Sequence, residues 1–298
     1  MPVIAPRRLG ESLWRFWPDA RRRLPQSVRT PVRFLYEAVR DLMRLPGALM
    51  SNRLVASAAP MDLGSPGIRL RPETRISLDN CGEDRPYLKT FEFPGPHIGA
   101  FHAALDRAPT GRMGIPFCID LGIDGYLARA EAMKLYELAF FAPGDVLELG
   151  TYRGLSTSII ARALHDRGSQ TLHTCDLSLH SSRSARRTLR WLPGFERVKF
   201  SVGDATELLD QFLAAGRKFG LIFVDHWHGY EATYSAAIRA GRLLSPGGFV
   251  MFHDYNDPSA RLPDHPDKVW QAVTDAIGND PKFRFCCVVA SSGVFQRQ

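Results

Sequence analysis

The sequence predicts an α/β fold built on a doubly wound, mostly parallel sheet, and three observations carry that prediction. Five apolar or β-branched runs (146–148, 172–176, 198–204, 221–225 and 249–254) each end on an acid. The acids Glu148, Asp176, Asp204, Asp225 and Asp254 follow one another at intervals of 28, 28, 21 and 29 residues, the length of one strand-plus-helix unit. The segments between them (156–167, 181–192, 205–215 and 230–244) read as helices. Strands alternating with helices make a parallel sheet covered on both faces, and ligands bind such sheets at the carboxyl edge of the strands. The five acids are therefore expected along one edge.

Taken in chain order, the first element is a basic arm, residues 1–53. It holds eleven Arg, no Lys and four acids, which accounts for the whole net charge of +7 and leaves 27 basic and 27 acidic residues in 54–298. Within it, Thr30-Pro31 is a cap followed by a first-turn proline, and Val32, Leu35, Val39, Leu42 and Met43 share one helical face until Pro46-Gly47. Three partners suit this helix: its own domain or a second copy of the chain, an anionic membrane surface met with the help of Trp14, Phe16 and Trp17, or nucleic acid. The last is the weakest, because a basic patch alone is common. Residues 54–119 are rich in Pro and Gly and read as a loop-dominated lid or assembly segment. Helical spacing resumes at Leu127, Ala130, Lys134, Leu135, Leu138 and Phe141, then Pro143-Gly144 precedes the first strand, so the α/β domain is expected over 120–298.

That first strand ends in Glu148-Leu-Gly150-Thr-Tyr-Arg-Gly154, a turn bracketed by glycines and followed by a helix. Glycines let a backbone approach a ligand closely, and a helix start offers free N–H groups. Gly-x-x-x-Gly is neither the dinucleotide pattern nor a phosphate loop, and Glu148 would repel a phosphate. At the other end, 282–289 and 293–297 resemble a β-hairpin, bringing the sheet to seven strands. No apolar run nears the roughly 20 residues of a membrane span, and no secretory h-region opens the chain, so a cytoplasmic protein is expected. The five cysteines lack metal-type spacing and read as free thiols, with Cys286 and Cys287 on opposite faces of one strand.

The segment Val-Leu-Glu-Leu-Gly-Thr-Tyr-Arg-Gly-Leu-Ser-Thr (146–157), Asp176, Gly203-Asp204-Ala205, Phe223-Val-Asp225-His-Trp-His228-Gly-Tyr230-Glu231, and residues 244–255 ending in His253-Asp254-Tyr255 together resemble a class I S-adenosylmethionine-dependent methyltransferase. The subgroup that shares Val-Asp-x-x-His-x-Tyr-Glu is similar to small-molecule and sugar O-methyltransferases and to cephalosporin-hydroxylase-like proteins. The resemblance implies a Rossmann-like fold for 120–298 and S-adenosylmethionine as cofactor. It implies that Glu148, Gly150, Thr151, Gly154 and Ser156 hold the cofactor's amino-acid end, Asp176 its ribose hydroxyls, and Asp204 with Ala205 its adenine. An acid at a strand end can also simply cap the next helix.

For the chemistry, the resemblance implies an acceptor hydroxyl deprotonated in one of two ways. His228, with Asp225, can act as general base. Alternatively Asp225, His253 and Asp254 can hold a divalent metal, Mg or Mn, that lowers the hydroxyl pKa. His253 stands where the metal-dependent pattern has a carboxylate; magnesium prefers all-oxygen ligands, so His253 either shifts the metal toward manganese, iron or zinc or means that no metal is used. The expected reaction is O-methylation of a small hydroxylated molecule, sugar or glycan. The alternatives are a non-catalytic cofactor-binding or assembly module that works through its basic arm, and a nucleic-acid methyltransferase. The fourth strand ends in Val-Asp-His-Trp rather than the Asn/Asp-Pro-Pro-aromatic turn suited to base amines, which makes nucleic acid an improbable partner.

Overall fold

A computed structural model describes residues 89–257 and 265–298. The arm 1–53, the first part of the segment 54–119, and Cys81 lie outside the described residues. After a short helix α1 (Ala100–Asp106) come α2 (Arg129–Phe140), β1 (Val146–Leu149), α3 (Leu155–Arg167), β2 (Leu172–Asp176) and α4 (Leu179–Leu189). They are followed by β3 (Val198–Val202), α5 (Ala205–Ala214), β4 (Phe219–Val224), α6 (Tyr230–Leu243) and β5 (Leu244–Phe252). The chain closes with α7 (Val269–Val273), which runs into a π turn, and the hairpin β6 (Phe283–Val289) and β7 (Ser292–Arg297). From β1 to α6 and in the hairpin the bounds agree with the sequence-based ones to within three residues; β5 starts five residues earlier than expected, and α1 and α7 have no expected counterpart.

The seven strands form one sheet in the order β3-β2-β1-β4-β5-β7-β6. β1 pairs in parallel with both β2 and β4, so the winding reverses beside β1, while β7 joins β5 antiparallel. Both faces are covered, which is why the strands read as continuous apolar runs rather than alternating ones. Val146, Leu221, Phe223, Phe249 and Met251 enter the cluster under α2 and α3. Leu147, Leu149, Ile222, Val224, Val250 and Phe252 enter the opposite cluster with α5, α6 and α7.

Local chemistry sets the helix ends. Gly168 stops α3 in the left-handed conformation at φ +82°, Ser178 caps α4 through the Ser181 N–H at 3.1 Å, and Asp204 caps α5 through the Thr206 N–H at 2.7 Å. Residues 91–119, read as loop-rich, contribute Phe91, Ile98, Leu105, Ala108 and Ile119 to the first cluster. Their start is tied to α2 through Glu137, which also forms, within that helix, a fully buried ion pair with Lys134, Nζ to Oε2 at 2.6 Å. Glu137 Oε1 accepts the backbone N–H groups of Thr90 and Phe91, and Lys134 donates to Thr90 Oγ1.

One expectation is corrected in the hairpin. Cys286 and Cys287 both pack against the first cluster, because the β6–β7 register shifts between Phe285 and Cys287 and the bulge turns adjacent side chains to the same side. None of the four described cysteines is in a disulfide.

Candidate active site

The parallel strands deliver Glu148, Asp176, Asp204, Asp225 and Asp254 to one edge, as their spacing requires. Glu148 is fully buried beneath the β1–α3 turn. The Thr157 and Thr174 hydroxyls both donate to its Oε2 at 2.6 Å. Thr174 thereby uses its only proton, so Thr151, 2.6 Å away, donates to Thr174, and a chain of hydroxyls ties the turn to β2. Burial pushes the Glu148 carboxyl up to about 7; the hydroxyls of Ser156, Thr157 and Thr174 pull the other way, and the Asp225 charge adds to the rise.

The two glycines of the turn are required by the protein's own packing. Gly150 has φ +106°, and a Cβ there would sit 1.9 Å from the Asp225 carbonyl oxygen. Gly154 has φ +91° and faces Leu189 and Ala185 of α4. Between them Tyr152 adopts a left-handed φ of +44°, held by its N–H donating to Asp176 Oδ2 at 2.7 Å. The other Asp176 oxygen accepts the Ser178 N–H at 2.7 Å, so this carboxylate joins the β1–α3 turn to the β2–α4 turn. Asp204 takes up the capping role, and Ala205 is the first residue of α5.

At the ends of β4 and β5, Asp225, His228, His253 and Asp254 converge. Asp225 Oδ1 lies 3.4 Å from His228 Nε2 and 3.4 Å from His253 Nδ1. Asp254 places Oδ2 3.3 Å from His228 Nδ1 and Oδ1 3.3 Å from His253 Nδ1. Burial opposes charge on both rings, yet the surrounding carboxylates win: Asp254, Asp225 and Glu131 hold His253 well above the usual histidine value, and Asp225 with Asp254 raises His228. Asp254 is held below the usual carboxylate range against its burial, chiefly by the His253 and His228 charges. Trp227 is exposed at the rim of this cluster, whereas Trp270 packs into the second apolar cluster.

Residues 147–255 match a family described as a methyltransferase domain. Over those residues the chain is similar to a methyltransferase domain. The O-methyltransferase of tomaymycin synthesis from Streptomyces achromogenes, solved with S-adenosylmethionine, is 22% identical, covering 58% of this chain and 81% of that one at a TM-score of 0.50. An O-methyltransferase from Bacillus cereus, solved with S-adenosylhomocysteine, is 18% identical, covering 58% and 83% at a TM-score of 0.50. A mouse (Mus musculus) protein described as a transmembrane O-methyltransferase homolog is 33% identical over 114 residues, 37% of this chain. That match spans 43% of the mouse protein, less than half its length. Among the described residues of this chain, no helix is long and apolar enough to cross a membrane.

The β1–α3 turn has the chemistry to hold an amino-acid zwitterion. Glu148 Oε1 is buried with no hydrogen-bond partner among the described residues, a place for an ammonium. Helix α3 starts on Gly154 without a side-chain cap, leaving first-turn N–H groups for a carboxylate. The second cluster also fits a cation: Asp225, His228 and His253 each offer one ligand atom, all within 4.8 Å of one another. Two imidazoles and a carboxylate suit manganese, iron or zinc better than magnesium. Of the expected set Asp225, His253 and Asp254, this group holds Asp225 and His253, with His228 as its third member; Asp254 stands 3.3 Å from each imidazole.

Glu131, Thr157 and Thr174 belong to the site and were not singled out from the sequence. Glu131 stands three residues after Ala128, the spacing of a capping box, but without the Ser or Thr that marks one.

Glu148 makes the stability of the unliganded protein pH-dependent. Its folded pKa is above the usual carboxyl value, so the stability it adds is present below about pH 4.5 and is lost as pH rises through about 7. Glu148→Gln removes that loss. Between pH 5 and pH 8 the variant should gain up to about 3 kcal/mol on the wild type in denaturant titrations, at ~1.4 kcal/mol per pKa unit. Parallel profiles for the two proteins would contradict this.

Proposed function

We propose that the chain is an S-adenosylmethionine-dependent O-methyltransferase acting on a hydroxyl of a small molecule, sugar or glycan. The observation that carries this reading is the convergence of Asp225, His228, His253 and Asp254 at the ends of β4 and β5. They stand next to a turn whose buried Glu148 oxygen lacks a hydrogen-bond partner among the described residues. The O-methyltransferases similar in fold support it.

In this reading Glu148, with the turn Gly150, Thr151, Gly154 and Ser156, holds the amino-acid end of the cofactor. The Asp176 carboxylate, already oriented by two backbone N–H groups, accepts from the ribose diol with its remaining lone pairs. Asp204 and Ala205 border the adenine. When bound, the cofactor supplies a sulfonium-activated methyl group. His228 takes the acceptor proton, while Asp225 and Asp254 on either side of its ring orient it and stabilise the imidazolium. A divalent metal held by Asp225, His253 and Asp254, manganese in preference to magnesium, would lower the hydroxyl pKa at the same place. Trp227 offers an exposed aromatic face for the acceptor.

Transfer of a labelled methyl group to a panel of glycosides, nucleotide sugars and catechols, with and without chelator, tests the proposal. The expected result is a methyl ether product whose rate falls at least about 100-fold in Asp225→Asn. Label that appears only in nucleic acid, or in no acceptor, would count against it. The proposal extends to a cytoplasmic protein whose basic arm 1–53 meets a second copy of the chain or an anionic membrane surface. Sedimentation with anionic vesicles, against ultracentrifugation of the protein alone, separates those two partners.

A further inference from the structure

We propose that the exposed face of α4, ending on Trp191, docks the protein on an anionic lipid surface. This face lies outside the candidate active site, and the proposal does not depend on methyl transfer.

α4 is two-sided. Ser181, Ser182, Ala185 and Leu189 are buried, and Ala185 and Leu189 enter the first apolar cluster. Leu179, Arg183, Arg186, Arg187 and Arg190 recur at the spacing of the opposite side, and all five are exposed. The helix contains no acid. Arg186 reaches over β3, its guanidinium 4.8 Å from the Phe200 ring and donating to the Phe200 carbonyl at 3.4 Å. The Arg190 guanidinium lies 4.6 Å from the Trp191 ring. Among the described residues, none of these four arginines meets a carboxylate.

The charge is concentrated here. Residues 54–298 are neutral as a whole, yet 177–200 hold six basic side chains against one acid, Glu196. That acid is already engaged, 3.2 Å from His165 Nδ1 and 3.8 Å from Arg197 Nε. The chain itself offers no complement: the arm 1–53 carries +7, and a second copy carries the same net charge. A face of this kind attracts an anionic occupant.

The apolar groups on the same face decide between lipid and nucleic acid. Trp191 is 74% exposed at one end and Leu179 49% exposed at the other. A phosphate backbone pairs with guanidinium groups but gives an aliphatic side chain nothing to do. A bilayer surface takes both: anionic headgroups meet the arginines, while indole and leucine enter the boundary between headgroups and acyl chains.

The test is ¹⁹F NMR of the full-length protein labelled with fluorotryptophan, the Trp191 signal being identified by its loss in Trp191→Phe. Vesicles of phosphatidylglycerol and phosphatidylcholine in equal parts should broaden or shift that signal, and phosphatidylcholine alone should not. In sedimentation at about 0.1 M salt, the triple variant Arg183→Gln, Arg187→Gln, Arg190→Gln should bind the anionic vesicles about 10- to 100-fold more weakly than the wild type. Arg186 is left in place because it also holds Phe200. Sedimentation with an unchanged Trp191 signal overturns the proposal, since the arm would then carry the binding. It is equally overturned by no sedimentation, by a folded triple variant that binds as well as the wild type, or by a Trp191 signal that responds to polyuridylic RNA and not to anionic vesicles. If the triple variant does not melt cooperatively, the wild-type Trp191 signal decides.

Discussion

Gly150→Ala is expected to lower the unfolding free energy by about 3 kcal/mol or more and to abolish cofactor binding. Two costs combine. The backbone at φ +106° is strained for any residue with a Cβ. More seriously, that Cβ would lie 1.9 Å from the Asp225 carbonyl oxygen, a backbone atom that cannot swing aside. Relief requires β1 and β4 to part at their carboxyl ends, where the Asp225 N–H bonds the Leu149 carbonyl at 2.8 Å. Parting them moves Asp225 away from His228 and His253. Gly154→Ala is the comparison: its Cβ would meet side-chain atoms, Leu189 Cδ1 at 2.9 Å and Ala185 Cβ at 3.2 Å, and of these the leucine can rotate. Denaturant unfolding of both variants should rank Gly150→Ala well below Gly154→Ala. Equal losses would show that conformational strain, not the approach of β4, governs the turn.

Glu137→Ala should cost about 3–5 kcal/mol, the usual penalty for leaving one member of a buried ion pair alone. Lys134 and Glu137 are both fully inaccessible, so the remaining ammonium would have no water to turn to. The backbone N–H groups of Thr90 and Phe91 lose their acceptor in the same step. The segment that carries Phe91 then loosens, although its ring packs 4.7 Å from Phe141 and 5.4 Å from Phe249. Lys134→Met combined with Glu137→Ala should recover part of the loss, since no lone charge is then buried, while the orphaned N–H groups keep it from full recovery. Guanidinium unfolding of the single and double variants checks this; a double variant less stable than Glu137→Ala would contradict it.

What the sequence disclosed and what it hid follow from the range of the interactions concerned. The strand ends at Glu148, Asp176, Asp204, Asp225 and Asp254 were legible because a parallel α/β unit forces a repeat length and puts an apolar run before each turn. The hairpin showed itself through its own composition. By contrast, Glu131, Lys134 and Glu137 fall three residues apart on α2, a spacing that ordinarily marks a solvated stripe. All three are buried, because their partners come from Thr90, 44 residues before Lys134, and from Ser291, 160 residues after Glu131. Nothing near them in the chain reports such partners. The bulge that brings Cys286 and Cys287 to one side is likewise set by pairing with β7. At the candidate site the resemblance grouped His228 with Asp225, and Asp225 with His253 and Asp254, while their mutual distances came only with the sheet order.

In the proposed function the β1–α3 turn and the end of β2 form the cofactor site of a methyltransferase. Calorimetric titration of the full-length protein with S-adenosylhomocysteine, repeated on Asp176→Ala, tests it most directly. One-site binding is expected in the wild type near the micromolar range, about −8 kcal/mol, with its loss in a variant that still melts cooperatively. No binding to the folded wild type, or equal binding to the variant, would contradict it.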